Sequence, residues 1–411
     1  MQKNKHLAMT IALMVTIIID VMGIGLVFPV LPGLFFSQTY AIVPPEMSQT
    51  MRNFFYGVCL TAWPLGIFFG APYLGDLSDK ISRKKVILIC LFGMIISNAF
   101  SGIAVHMQSL TMFVIARFLA GFFSGSFPIA QASMIDISDD STKSRNLSLV
   151  TLAASMGFVV GPLITSISTL PSLSGFFDYT TPFYVATVLS LFNFLGVWYW
   201  LPEIVSTHKV DKVHFFRGVL VIREVLSDVR TRRCLFAFFL MFFGWGTYFC
   251  NLPLLLASYF HYDTSLIAVI FAVFAFGNIA GILLLQPYML KTFSLNQCCV
   301  ISAVALAVIV SASAYTGSVW VQWVVAFCAP ATQMVLYTAV MTLFSNSVTP
   351  QEQGKVMGGA DAAVSIAFML NGMLLGVLVN INLIIPLIVA GSAILISAPL
   401  FRKVTCSQLQ S

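Results

Sequence analysis

Gly75-Asp76-Leu77-Ser78-Asp79-Lys80-Ile81-Ser82-Arg83-Lys84-Lys85 is the stretch that decides the fold. It packs both signs of charge into a chain in which only 9% of residues are charged. A long apolar run flanks it on each side, over about 54–76 and 86–105. Roughly 20 apolar residues in a helix cross the hydrocarbon of a bilayer. The stretch therefore reads as a charged turn at a membrane surface, a hinge or latch between two membrane helices.

The rest of the chain extends that reading. Of 411 residues 59% are hydrophobic and 37 are Phe, and the mean hydropathy is +0.94. A soluble domain of this length needs a far more polar surface, so the composition predicts a polytopic membrane protein. Approximate spans fall at 8–34, 54–76, 86–105, 109–134, 146–169, 181–201, 234–258, 264–289, 295–316, 319–344, 357–380 and 383–401. The fold class expected is all-α, with twelve transmembrane helices in two six-helix bundles. The domains are 1–202, a cytoplasmic linker over 203–233 and a second bundle over 234–411. In the linker, Phe215, Val219, Ile222 and Leu226 recur at helical spacing among arginines, which predicts an amphipathic helix lying on the membrane surface. Duplicated halves around a midplane site are a common plan of secondary transporters.

The net charge of +6 reports topology. Apart from Arg52 and Arg117, every Lys and Arg falls at a terminus or in alternate loops, so the positive-inside rule places both termini in the cytoplasm. Nucleic acid is not an expected partner; a small molecule and the lipid bilayer are. The N-terminal apolar stretch is interrupted by Asp20 and no small-x-small cleavage site follows, so it reads as an uncleaved first span. The eight Cys lack zinc or redox spacing and read as small buried hydrophobes, with no metal expected. No Walker-type glycine loop, His-Glu-x-x-His or Gly-x-Ser-x-Gly occurs, so neither ATP hydrolysis nor enzyme chemistry is expected.

Ionisable residues at membrane depth stand out, because a charge at the centre of a span costs about 2.5–3.5 kcal/mol. Asp20 lies about a dozen residues into the first span, near the midplane at ~1.5 Å per residue. It is the proton-carrier candidate, and moving Arg117 of the fourth span relative to it would switch its proton affinity. The alternative is a fixed ion pair holding two helices together. Arg117, Gly121, Ser124, Pro128 and Gln131 form a polar, small-residue stripe that suits a cavity wall. In the second half, Trp245, Tyr248, Asn251, Asn278, Gln333, Tyr337, Asp361 and Asn371 are candidates to line a substrate cavity. Aromatic faces and neutral polar groups together suit a bulky, partly apolar molecule.

On these residues the chain resembles the major facilitator superfamily, and within it the twelve-span drug:proton antiporters, tetracycline-efflux proteins among them. Gly75, Leu77, Ser78, Asp79, Lys80, Arg83 and Lys84 match that family's loop between spans 2 and 3, with Ser82 in place of a glycine. The resemblance implies a conformational latch formed by Gly75, Asp79, Lys80, Arg83 and Lys84, with Asp136 and Arg145 as partners. It implies proton transfer through Arg117, which with Gly121 and Gly125 matches the span 4 motif. The antiporter motif of span 5 is matched by Gly157, Gly161 and Pro162, but its closing glycines are Thr165 and Ser166 here. Asp20 to Gly25, with Pro29 and Pro32, is similar to the first span of the tetracycline exporters. Their further carboxylates in spans 3 and 9 have no counterpart here. Implied throughout is a monomeric exporter of the bacterial cytoplasmic membrane, energised by a proton gradient and needing no cofactor. A metabolite or siderophore permease of the same fold, and a transport-dead receptor or scaffold, stand beside that reading.

Overall fold

The computed structural model describes residues 2–37, 41–138, 142–173, 177–203, 215–315, 317–349 and 352–402. Among these the regular secondary structure is all helical, with no strand. Residues 204–214 of the expected linker and the C-terminal 403–411 lie outside the described residues.

Among the described residues fifteen α-helices are formed. They are α1 (Gln2–Phe36), α2 (Gln49–Lys80), α3 (Arg83–His106), α4 (Leu110–Phe123), α5 (Ser126–Asp136), α6 (Lys143–Ser168), α7 (Thr181–Trp200), α8 (Arg217–Ser227), α9 (Val229–Ser258), α10 (Thr264–Ala280), α11 (Gln286–Thr292), α12 (Leu295–Tyr315), α13 (Val319–Asn346), α14 (Gln353–Leu378) and α15 (Ile385–Phe401). Eleven helical stretches are long and apolar enough to cross a membrane, and Ile385–Phe401 is a shorter apolar helix. One stretch combines α4 and α5, and another joins α10 to α11 through a π-helical turn at Gly281–Leu285. With the short helix these twelve stretches match the twelve expected spans, and the fold is the all-α membrane architecture read from the sequence.

Two local expectations change. The charged stretch at 75–85 is mostly helix: α2 continues through Lys80, and only Ile81 and Ser82 separate it from α3. Ser82 is extended, with φ −178° and ψ 140°, and precedes the first residue of α3. The stripe on the fourth span is interrupted, because Ser124 and Gly125 break the helix between α4 and α5. A helix restarting at mid-span presents free backbone N–H groups where lipid supplies no partner.

The chain divides into two compact units. The first comprises Met1–Met47, Ala62–Arg217 and Asp263–Ala272; the second comprises Ser48–Thr61, Gly218–Tyr262 and Val273–Ser411. In the first unit α1 packs on α5, α6 and α7, and α3 on α4 and α7. Leu13, Ile17, Val86, Cys90, Ile129, Met134 and Val197 fill the space between them. In the second unit α9 packs on α14 and α15, and α12 on α13 and α15.

Lipid tails are as apolar as Leu, so helix association here depends on close packing rather than on exclusion of water. The crossing of α2 and α4 is the clearest instance. Gly66 and Gly70 of α2 face the backbone of Phe118 and Phe122, and Gly121 of α4 faces the carbonyl of Trp63. A methyl group at any of the three would strike main chain, which has no rotamer with which to yield. The substitution Gly121→Ala is accordingly expected to force α2 and α4 apart at a cost of about 1–3 kcal/mol. Thermal unfolding of the purified variant in detergent checks this, and an unchanged midpoint would contradict the packing described.

Candidate functional site

Asp20 lies on α1, buried at 7% exposure. Its Oδ2 accepts a 2.5 Å hydrogen bond from the Ser126 hydroxyl, and the backbone at Phe127 also faces it. Ser126 and Phe127 open α5, so the carboxyl sits at the start of a half-helix in the middle of the fourth span. Free N–H groups and the positive end of the helix dipole favour a negative group there. Oδ1 is buried with no hydrogen-bond partner. One oxygen is held and the other is not, an arrangement that leaves a place for a proton.

The span 5 motif supports this carboxyl from α6. A Cβ on Gly157 would stand 2.6 Å from the Ile18 carbonyl, and Gly161 faces the carbonyl of Met22, so the two glycines seat α1 on both sides of Asp20. Pro162 packs against Gly25. Thr165, one of the departures from the family motif, donates to the Leu26 carbonyl at 2.9 Å and adds a polar tie to the same crossing.

Arg117 does not join Asp20. Its guanidinium donates to the Ser101 hydroxyl at 2.7 Å and lies 5.6 Å and 5.4 Å from the ring centroids of Phe113 and Phe183. Two ring faces and a hydroxyl accommodate the cation within the first unit. The alternative of a fixed Asp20–Arg117 ion pair is not what this structure shows; Ser126, a residue the sequence reading passed over, meets the carboxyl instead. Its signal lies in the Ser124-Gly125-Ser126-x-Pro128 run, small residues followed by a proline inside an apolar span. Gly121 of the stripe is taken up by the α2 crossing, while Gln131 on α5 remains partly accessible.

At the far end of α2, Arg83 is a hub. It pairs with Asp79 at 2.8 Å and with Asp136 at the end of α5 at 3.1 Å, and it donates to the Ser78 hydroxyl at 2.8 Å. Lys84 donates to the Trp198 carbonyl on α7 at 2.8 Å, and the Ser82 hydroxyl donates to Glu203 just beyond α7. Four helices, α2, α3, α5 and α7, are thereby tied around one short break. A second carboxylate, Asp76, buried to 7%, pairs with Arg217 at 3.0 Å. Beside it Phe215 packs on Phe69, Tyr73 and Phe122. Lys80 and Arg145 are exposed, and Gly75 has open space where a side chain would go. The structure thus gathers Asp79, Arg83, Lys84 and Asp136 and leaves the other three at the margin.

The second unit gathers neutral polar groups. Trp245 packs on Tyr248 and Phe274. Asn371 receives the Thr247 hydroxyl at 2.7 Å and packs over Gly246, while Asn251 donates to the Leu383 carbonyl at 3.2 Å. Tyr248 Oη, Asn251 Oδ1, Asn278 Oδ1, Gln333 Oε1 and Asn371 Nδ2 are buried without a hydrogen-bond partner. Each such atom costs about 1–3 kcal/mol if nothing meets it. Five in one unit, all at positions expected to line a cavity, mark groups that a polar ligand or water completes. Among the described residues no cluster of His, Cys, Asp and Glu could hold a metal ion.

Residues 13–372 match the model of the Major Facilitator Superfamily. The chain belongs to that superfamily. Over 202 residues it is 31% identical to the class C tetracycline resistance protein of Escherichia coli, a match covering 49% of this chain and 46% of that protein. The chain therefore spans about half the length of the tetracycline resistance relatives that it matches. It is 22% identical to multidrug resistance protein 2 of Bacillus subtilis strain 168 over 414 residues, covering 96% of this chain and 94% of that one. Among solved structures it is similar in fold to a D-xylose-proton symporter (TM-score 0.76, 16% identity, 96% of this chain and 97% of that one). The human organic anion transporter MFSD10 gives a TM-score of 0.71 at 17% identity, covering 96% and 99%.

Within this superfamily fold the Arg83 hub sets a graded expectation. Arg83→Gln leaves Asp79 and Asp136 facing each other's charge without a cation, whereas Asp79→Asn removes one of two pairs. Arg83→Gln should destabilise the protein by about 1–3 kcal/mol and Asp79→Asn by less than about 1 kcal/mol, so the thermal midpoint in detergent should fall further for Arg83→Gln. Equal midpoints for the two variants would contradict the hub.

Proposed function

We propose that this chain is a proton-coupled secondary transporter that exports amphipathic small molecules by alternating access. The observation that carries the reading is the Asp20 carboxyl at the mid-span helix break, with one oxygen bound by Ser126 and the other unmet. An ionisable group at that depth is expensive unless it works, and taking up a proton removes the charge. The glycine seat of α6 allows α1 to shift without unpacking, because backbone slides on backbone. The Arg83 hub then acts as the latch at the membrane surface, breaking and reforming as the bundles exchange access. The tetracycline and multidrug resistance relatives support export of drug-like molecules, and the aromatic and amide groups of the second unit suit such a substrate.

The energetics permit it. One elementary charge crossing a potential of ~150 mV releases roughly 3.5 kcal/mol. At about 1.4 kcal/mol per decade this sustains a gradient of a few hundredfold for a neutral substrate. The protein works as a monomer with both termini cytoplasmic, and the gradient takes the place of a cofactor.

Asp20→Asn keeps the shape and a hydrogen-bond partner for Ser126 but cannot release a proton. The variant should fold and bind substrate while losing proton-driven flux in proteoliposomes. Wild-type flux under an imposed pH gradient would remove Asp20 from the mechanism.

A further inference from the structure

Between α3, α4 and α7 of the first unit runs a groove of about 380 Å³. Ile89, Phe92, Gly93 and Ile96 of α3, Phe123 of α4 and Phe194 of α7 are among its walls. Along α3 the lining extends from Leu88 to Ser97, roughly 8 to 21 Å beyond the first residue of that helix at ~1.5 Å per residue. That is the depth of one leaflet, about 20 Å with its headgroup region. Asp20 and the residues of the Arg83 hub take no part in it.

The walls are hydrocarbon and hold their shape. Ser97, the one polar side chain among them, donates its hydroxyl to the Gly93 carbonyl at 2.7 Å and offers nothing to the groove. The Phe123 ring lies where a side chain on Gly93 would stand, so it rests directly on the α3 backbone. The Phe194 ring is 6.4 Å from that of Phe92 and stacks on Trp198 at 6.2 Å. Rings have two χ angles each and make stiff walls.

The mouth is cationic. Lys85, Ile89, Phe92 and Ile96 fall at i, i+4, i+7 and i+11, so the lysine heads the exposed stripe that lines the groove. Lys85 is itself exposed, and among the described residues no ion pair or hydrogen bond meets its ammonium. Lys84 beside it is held by the Trp198 carbonyl at 2.8 Å, and the Trp198 side chain is exposed. The neighbouring carboxylates of Asp79 and Asp136 face Arg83. A free ammonium at the head of a hydrocarbon slot, with an interfacial tryptophan at the same helix ends, is complementary to a molecule with an anionic head and an apolar tail. A zwitterionic lipid carries its own cation beside the phosphate and gains less from the lysine.

We propose that this groove seats one acyl chain of an anionic phospholipid whose phosphate lies on Lys85. Phe123 is the last residue of α4 before the break at Ser124 and Gly125, so the seated chain packs against the end of that half-helix. The inference goes beyond the transport reading and stands apart from proton coupling; it needs only a bilayer around the first unit.

Native mass spectrometry of the purified full chain tests it, after equilibration in detergent with equal amounts of dioleoyl-phosphatidylglycerol and dioleoyl-phosphatidylethanolamine. The unaltered protein should retain one phosphatidylglycerol in preference to phosphatidylethanolamine. Lys85→Gln should cut that preference about fivefold, and Lys85→Arg should keep it. Ile89→Trp and Ile96→Trp each fill the groove from an exposed position, and should lose the retained lipid while keeping the thermal midpoint of the unaltered chain. Equal retention of the two lipids by the unaltered protein, an undiminished preference in Lys85→Gln, or phosphatidylglycerol retained in both tryptophan variants would each overturn the site. A lipid-free dimer that Ile89→Trp dissociates would assign the face to a second copy of the chain and overturn it as well. The headgroup comparison uses the unaltered protein, so it decides the matter even where a groove-filling variant does not fold.

Discussion

The cost of placing charge in hydrocarbon is the constraint on which the rest of the molecule depends. Asp20 meets it by sitting where the fourth span is broken, so that the hydroxyl of Ser126 and the opening N–H groups of α5 supply what lipid cannot. The break falls at Ser124 and Gly125, and the carboxyl needs α1 close to α5 and α6. The bare surfaces of Gly157 and Gly161 provide that approach. Each feature would be a defect alone. Together they hold an ionisable group at a depth where its protonation can be linked to helix position.

The units differ in how they handle polarity. In the first, several charges are met, Arg117 by Ser101 and two phenyl rings, Arg83 by two carboxylates and Asp76 by Arg217, while Asp20 keeps one oxygen unmet. Such satisfied groups fix geometry. In the second, several buried amides and a phenol are unmet, and the one deep carboxylate is accessible. Unsatisfied groups in a well-packed helical unit point to ligand or water.

Much of this was legible in the sequence, for physical reasons that also mark its limit. The spans could be read because apolar runs of membrane length have few other uses, and the charged cluster at 75–85 stood out because charge is so scarce. The continuation of α2 to Lys80 was not legible, since a cluster of charges looks like a loop until neighbours such as Asp136 and Arg217 are seen to meet it. The break at Ser124 and Gly125 was hidden by reading the fourth span as one regular helix, on which both residues fell into a plausible stripe. Relating Asp20 to Arg117, whether by motion or as a fixed pair, followed from charge alone. A serine 106 residues away in the chain serves instead, and only tertiary structure could place it. Asn251, Asn278, Gln333 and Asn371 could be singled out as costly polar groups, but not which of their atoms lack partners.

The central claim is that the Asp20 carboxyl exchanges a proton within the folded protein. Infrared difference spectroscopy of the purified chain in lipid, recorded while pH is stepped, tests it most directly. A protonated-carboxyl stretching band should rise and fall reversibly with pH, and the component assigned to Asp20 should vanish in Asp20→Asn. A carboxyl spectrum identical in the two proteins across the whole titration would contradict the account.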